Sequence, residues 1–135
     1  MQDQDNYLLR IPIKEAIDSG SWFKCCGGPE GSNAYRLKIL SFIKGKNDDQ
    51  SNPGDGDIWL LNIEVVNVCK RSFDISGLIK KIFLTDQDGY RFSSVSFNFS
   101  SYTLNPKIKY IRIIKFLLPN DDELEYFINF KGKEV

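Results

Sequence analysis

Apolar and polar side chains alternate along residues 58–68, the clearest periodic segment of the chain. The apolar set is Trp59, Leu61, Ile63 and Val65, while Asn62 and Glu64 occupy positions between them. A period of two is typical of a β-strand with one face in a core and the other towards water. Turn-forming residues fill positions 52–57 just before it. We therefore predict a long strand here.

Seven further segments combine partial alternation with turn residues at their ends, which predicts about eight strands in all. They are residues 7–13, 21–25, 35–43, 78–85, 90–99, 108–118 and 124–130. In the third of these, the residues expected to share one face are Tyr35, Leu37, Ile39 and Ile43. Residues 14–18 favour a single helical turn, and Asp86 to Gly89 favour a tight hairpin turn.

Short strands separated by turns, without a long amphipathic helix, predict an all-β fold, most simply an antiparallel β-sandwich of seven to eight strands. Residues 44–57 contain no apolar side chain, so we expect a flexible loop there. We expect one domain over residues 1–135, with N-terminal strands in 6–43 and the main strand set in 58–131.

Charge and hydropathy narrow the classes of partner. The 135 residues carry 18 basic and 18 acidic side chains, a net charge of zero. Such a chain has no overall field to attract nucleic acid or an anionic membrane, so we expect neither partner. No apolar run approaches the ~18 residues that a membrane span needs. The polar first residues do not resemble a signal peptide. The residues by themselves therefore predict no particular cellular compartment.

The three cysteines allow two interpretations. Cys69 either pairs with Cys25 or Cys26, or all three are small buried side chains, which we prefer. Lys24 is the only neighbour suited to activating the Cys25–Cys26 pair. The chain has no histidine, which excludes Ser-His-Asp and Cys-His catalytic groups and makes a zinc site improbable.

Two acidic turns are weak candidates for a calcium site. Asp86 and Asp88 precede Gly89, but the twelfth position of the corresponding EF-hand loop is Phe97 and not glutamate. Asp55 and Asp57 lie in the acidic loop of residues 44–57. We interpret the first pair as a hairpin turn and the second as a solvated loop, and we expect neither metal nor cofactor.

Aromatic side chains alternate with serine and asparagine over residues 93–102. Phe97, Phe99 and Tyr102 are candidates for a binding surface that contacts sugar or protein. The same alternation, continued from Val95, also describes a strand whose outer face is serine. We prefer the core interpretation.

Four local patterns occur in order at residues 65–67, 83–90, 104–106, and 116–119 followed by 125–128. Together they resemble the bacterial DUF4352 family of immunoglobulin-like domains, which is similar in fold to secreted antigens of the MPT63 type. Lys107 departs from the pattern, which has glycine after the proline turn. The resemblance implies an immunoglobulin-like sandwich, no catalytic residues, and a place outside the membrane, as in lipoproteins.

These observations predict a non-enzymatic binding or scaffolding domain, with a protein as its partner at the bacterial cell envelope. The loops of residues 44–57 and 86–89 would carry the contacts. A carbohydrate- or calcium-dependent binding module is the alternative. We expect a monomer or a weak homo-oligomer. A small enzyme that uses carboxylates alone is the third hypothesis.

Overall fold

The computed structural model describes residues 8–25, 35–46, 56–98, 103–121 and 123–135, without the side chains of 78, 96–98, 133 and 134. Ten strands and two short helices occupy these residues. The strands are β1 (Leu8–Pro12), β2 (Trp22–Cys25), β3 (Tyr35–Lys44), β4 (Asp57–Asn67), β5 (Phe73–Asp74), β6 (Phe83–Asp86), β7 (Arg91–Asn98), β8 (Thr103–Leu104), β9 (Lys109–Leu118) and β10 (Tyr126–Glu134). The helices are α1 (Ile13–Ser19) and α2 (Ser76–Ile79).

The fold is all-β and the pairing between its strands is antiparallel, as predicted. Eight strands follow the order β1-β10-β2-β3-β4-β9-β7-β6, and β6 pairs back onto β10. β5 and β8 form a separate two-stranded sheet. Strand pairing is therefore continuous around a ring, with β1 attached to it through β10.

The ring differs from the predicted sandwich, in which two sheets are separate. It closes because β10 pairs with different strands along its length: residues 126–129 with β6, and residues 132–134 with β2. β1 pairs with residues 127–131 of β10, so it lies on the edge opposite β6. Because it pairs with both β6 and β2, β10 is the strand that closes the ring.

The inside of the ring is an apolar core. Its largest fully buried side chains include Phe23, Leu37, Leu61, Ile63, Leu84, Ile114 and Phe116. Phe23 packs edge-to-face on Phe130, with ring centroids 5.4 Å apart. Burial of side chains of this size is the main favourable contribution to folding.

Two β-bulges change which side chains face the core. The pairing of β3 with β4 skips one residue between Ile39 and Ser41, which reverses the alternation beyond it. Phe42 consequently packs against the core, whereas Ile43 is 51% exposed. The prediction that Ile43 shares a face with Ile39 is wrong for this reason.

The second bulge lies in β7, where the pairing with β9 shifts between Ser94 and Ser96. Val95, at the bulge, is 53% exposed, so the predicted inward position of Val95 is wrong. An extra residue in one strand is left unpaired and turns its side chain away from the regular pleat.

Both helices have identifiable local causes. α1 confirms the predicted helical turn and ends at Gly20, whose φ of 62° suits glycine. α2 replaces the start of the strand predicted from residue 78. There the Asp74 carboxylate accepts the Ser76 N–H at 2.8 Å, which lowers the pKa of Asp74, and Ile75 and Ile79 are fully buried. Side chains four residues apart share a helical face, so this pair favours the helix.

Asn67 organises the end of the fold at which β4 finishes. Its amide Nδ2 donates to the carbonyl oxygens of Arg71 and Leu104, each at 2.9 Å, and its Oδ1 accepts the Cys69 N–H at 2.7 Å. The side chain is 1% exposed. This one amide therefore joins β4 to the following turn and to β8.

Cys25 and Cys69 are both buried. The Cys25 thiol donates a hydrogen bond to the carbonyl oxygen of Phe23, with 4.0 Å between the sulfur and the oxygen. Burial of both agrees with the interpretation as small apolar side chains. Cys26 lies outside the described residues.

Candidate binding cleft

One end of the ring gathers several chain segments around a cleft. β3 ends there at Lys44, and β4 begins at Asp57, which pairs with Leu118 at the end of β9. β10 begins at Tyr126, which pairs with Asp86 at the end of β6. The turn at residues 86–89 and the described ends of the predicted loop, residues 44–46 and 56–57, therefore belong to this end.

The cleft has a volume of about 880 Å³ and an aromatic floor. Phe42 stacks on Trp59 with ring centroids 5.0 Å apart and planes inclined by 25°. Tyr126 meets Phe42 edge-on at 6.2 Å and Phe92 edge-on at 5.7 Å. Ile13 and Ile17 of α1 line one side. Rings that support one another in this way form a rigid apolar surface.

The rim of the cleft is mainly acidic. The carboxylates on it are those of Asp18, Asp57, Asp121, Glu123 and Glu125, against the two ammonium groups of Lys14 and Lys44. Lys44 Nζ forms a salt bridge with Asp57 Oδ2 at 3.3 Å, which neutralises one carboxylate. The remaining charges favour a cationic or hydroxyl-rich ligand over an anionic one.

Tyr126 carries a buried hydroxyl for which the described residues supply no hydrogen-bond partner. Burial raises the pKa of this phenol, and the negative charges of Asp86 and Asp121 raise it further. A buried hydroxyl without a hydrogen-bond partner destabilises the folded state, because folding removes its hydrogen bonds to water and provides none in exchange.

We expect Tyr126→Phe to raise the free energy of unfolding at neutral pH by about 1 kcal/mol, because it removes that hydroxyl. The raised pKa makes the neutral phenol the favoured folded form, so wild-type stability should fall as pH rises above about 10, where the unfolded chain ionises first. Urea unfolding at pH 7 and pH 10.5 measures both effects. Tyr90→Phe, at a side chain 70% exposed, is the control. A loss of stability in Tyr126→Phe at pH 7 would contradict the expectation.

Asp86 belongs to the hairpin turn and not to an open ligand site. It is 3% exposed, and its Oδ1 accepts the N–H groups of Asp88 at 2.9 Å and Tyr90 at 3.0 Å. Gly89 has a φ of 89° and donates its N–H to the Asp86 carbonyl. The turn agrees with the predicted hairpin, and Asp88 is exposed on it.

The described part of the structure places only one of the other candidate residues at the cleft. Asp57 lies on the cleft rim, whereas Asp55 is outside the described residues. Phe97 lies in β7 opposite Ile114, without a described side chain, and Phe99 and Tyr102 are outside the description. Within the described parts of the chain, no three acidic or cysteine side chains form a group able to hold a metal ion.

The sequence analysis missed the cleft floor. It placed Trp59 on the apolar face of its strand, and it assigned residues 124–130 to a strand without a binding role. The one signal in the sequence was the acidic pair Glu123 and Glu125 just before Tyr126. Phe42 gave no such signal, because the bulge before it is not visible in the sequence.

In comparisons of sequence, no protein-family profile and no curated protein matches the chain. Neither helix in the part of the chain that the structure describes has the length and apolar character needed to cross a bilayer.

Solved structures with a similar fold do exist. MPT63, a secreted protein of Mycobacterium tuberculosis, is similar with a TM-score of 0.51 at 12% identity, over 75% of this chain and 82% of that one. A conserved hypothetical protein of Bacillus anthracis has a TM-score of 0.55 at 8% identity, over 84% and 95% of the two chains. A candidate lipoprotein of Bacillus subtilis, ycdA, has a TM-score of 0.51 at 19% identity, over 76% of this chain but only 35% of its own. At such identities the likeness concerns the fold.

Proposed function

We propose that this chain is a non-enzymatic binding domain that holds a partner protein in the cleft at the loop end of the ring. The observation that carries the proposal is the combination of an aromatic floor with a charged rim in one open cavity. Aromatic side chains with a polar surround are the usual composition of protein interfaces at their centre and edge.

The cleft is also suited to holding a ligand without rearrangement. Trp59 and Tyr126 are fixed from below by Phe42 and Phe92, so binding costs little side-chain entropy. The acidic rim would select a partner segment whose apolar side chains are flanked by lysine or arginine, because mismatched charges at a rim are penalised.

The cleft chemistry supports binding over catalysis. Asp18, Asp121, Glu123 and Glu125 are exposed to solvent, whereas a carboxylic acid that acts as a general acid needs a desolvated site. The chain contains no histidine to act as a base. A carboxylate-only enzyme has less support than a binding domain for these reasons.

We also propose a domain type and a cellular position for this chain. The similarity in fold to a secreted protein and to a candidate lipoprotein supports an immunoglobulin-like domain of the DUF4352 type, with its two sheets joined at β10. It also supports a position at the bacterial cell envelope. Extracytoplasmic domains of this size commonly act by presenting loops at one end of a rigid β-scaffold.

Site-specific photo-crosslinking tests the cleft. A photoreactive side chain replaces the exposed Glu123 on the rim or, as the control, the exposed Lys80 beyond α2 at the opposite end. Incubation with envelope extract of the source cells should give a protein adduct of one mass at position 123 alone. An excess of unlabelled wild-type chain should suppress that adduct, and unlabelled Glu123→Arg/Glu125→Arg chain should not. Equal adducts at both positions, or turnover of a substrate, would contradict the proposal.

A carbohydrate is the second candidate ligand. The stacked Phe42–Trp59 pair offers a flat apolar surface, and the rim carboxylates can accept hydrogen bonds from sugar hydroxyl groups. Calorimetry with a glycan panel separates the two candidates, since heat from one glycan that is lost in Trp59→Leu would favour the sugar. Calcium dependence stays a prediction, and adding Ca²⁺ to the same titrations tests it.

A further inference from the structure

The outer face of β1, β10, β6 and β7 carries a second surface, separate from the cleft. Directly paired residues share a face of a sheet, and the pairs Arg10–Asn129, Asn129–Phe83 and Phe83–Ser93 form one row across it. Ile128 and Leu84, the chain neighbours of these residues, point into the core. The row therefore lies on the face away from the core, where Arg10 and Ser93 are exposed and Asn129 is covered, at 2% exposed.

The next row of the same face consists of Pro12, Phe127, Thr85 and Arg91, each paired with the one before it. Phe127 and Phe83 are thus diagonal neighbours on adjacent strands, which places them about 7–8 Å apart. Arg10 and Arg91 come from the two outer strands and lean inward over these two rings.

Each guanidinium group lies over a phenylalanine ring. The guanidinium carbon of Arg10 lies 3.7 Å from the centroid of the Phe127 ring, and that of Arg91 lies 3.7 Å from the centroid of Phe83. Arg10 Nε also donates to Thr85 Oγ1 at 3.2 Å, and its Nη2 donates to the Asp86 carbonyl oxygen at 3.3 Å. The stacking fixes the direction of the remaining N–H groups before any ligand arrives.

The charge of this face is unbalanced. Both arginines are exposed, and Lys131, paired with Leu8 on the same face, is exposed as well. In the described part of the chain, none of these three cations forms an ion pair with a carboxylate. The net charge of the whole chain is zero, so this positive face is the counterpart of the acidic cleft and not part of a general excess.

We propose that Arg10 and Arg91 form a docking surface, the arginine platform, for an extended acidic segment of a partner protein with carboxylates at alternate positions. Alternate side chains of an extended chain are about 7 Å apart, which matches the spacing expected for the diagonal neighbours Phe127 and Phe83 beneath the two arginines. A stacked guanidinium offers a planar pair of donors that suits one carboxylate. The two exposed guanidinium groups lie above buried Thr85 and Asn129, and two separate cationic groups of this kind fit a strand-like segment better than a small anion.

The test is an NMR titration of the ¹⁵N-labelled chain with three synthetic peptides of seven residues. One has glutamate at its third and fifth positions, one at its third and fourth, and one has glutamine at the third and fifth. We expect the first peptide to shift amide signals of β1, β6 and β10 and to bind about fivefold more tightly than the other two, as two exposed ion pairs allow.

Variants locate the binding. Arg91→Gln and Arg10→Gln should each weaken the first peptide about twofold, because each removes one of the two ion pairs, while Lys80→Gln, which removes one exposed charge elsewhere, should not. Arg10→Lys and Arg91→Lys keep the charge and protect the test against loss of fold, and they should still weaken binding because ammonium is not planar. A thermal melt of each variant checks folding.

Two results would overturn the platform. One is equal affinity for the adjacent-glutamate and alternate-glutamate peptides. The other is a set of platform shifts produced by inorganic phosphate or by vesicles of anionic lipid but not by the first peptide. Glu123 lies on the cleft rim and outside the platform strands, so unchanged peptide binding in Glu123→Arg separates this inference from the proposed function.

Discussion

Asn67→Ala is expected to lower the free energy of unfolding by about 3–5 kcal/mol. The amide is 1% exposed and makes three hydrogen bonds to backbone groups of Cys69, Arg71 and Leu104. Alanine leaves these groups without a partner where water does not replace the amide. Urea unfolding followed by tryptophan fluorescence measures the change.

Asn62→Ala is the matched control, because Asn62 lies on the same strand and its amide donates one hydrogen bond, at 2.9 Å to Ser41 Oγ. We expect a loss of about 1 kcal/mol or less from a half-buried bond of this kind. Similar losses in the two variants would mean that Asn67 does not hold β4 to β8 in the way its contacts indicate.

Gly132→Ala is expected to destabilise the fold by about 2–3 kcal/mol, because a methyl group at this position has no room. A Cβ built on Gly132 would overlap the backbone carbonyl oxygen of Lys24 and lie 3.2 Å from the Phe130 ring. The clash falls on the pairing of β10 with β2, where Gly132 opposes Cys25 and where the ring of strands closes. Backbone atoms cannot swing aside as a flexible side chain does, so the two strands must separate.

Gly77→Ala provides the comparison for Gly132→Ala. Nothing lies within 4 Å of a Cβ at Gly77, and the residue belongs to α2. Alanine there should be neutral or raise the unfolding free energy by about 0.5–1 kcal/mol, as expected in a helix. If Gly132→Ala unfolded at the same urea concentration as wild type, the tight closure between β10 and β2 would be disproved.

The presence of the strands was the feature of the fold that the sequence predicted best. Alternation depends only on the side-chain geometry of an extended backbone, so β4 and β9 were predicted within one residue of the observed bounds. The sequence did not predict which side chains face the core beyond a β-bulge. The extra residue before Ser41 reverses the inward and outward faces, which is why Phe42 and Ile43 exchange the places that strict alternation predicts.

The candidate site was predicted only in outline. The loops of residues 44–57 and 86–89 were named as contact regions, and the structure brings the described parts of both to one end. Their acidic residues have different roles, however: Asp86 is occupied by its own turn, and Asp57 pairs with Lys44. The aromatic floor and the arginine platform depend on side chains from strands far apart in the chain. A local pattern carries no information about such neighbours.

Alternation and turn residues determined by themselves that this chain is built from β-strands, and composition determined that it contains no histidine. Each of these properties depends on local backbone geometry or on composition. Only the tertiary structure decided that β10 closes a ring, that Trp59 and Tyr126 line one cleft, and that Arg10 and Arg91 lie on neighbouring rings. The reason is that strand order, register and bulges are set by packing between distant segments, which the periodicity of a single strand does not specify.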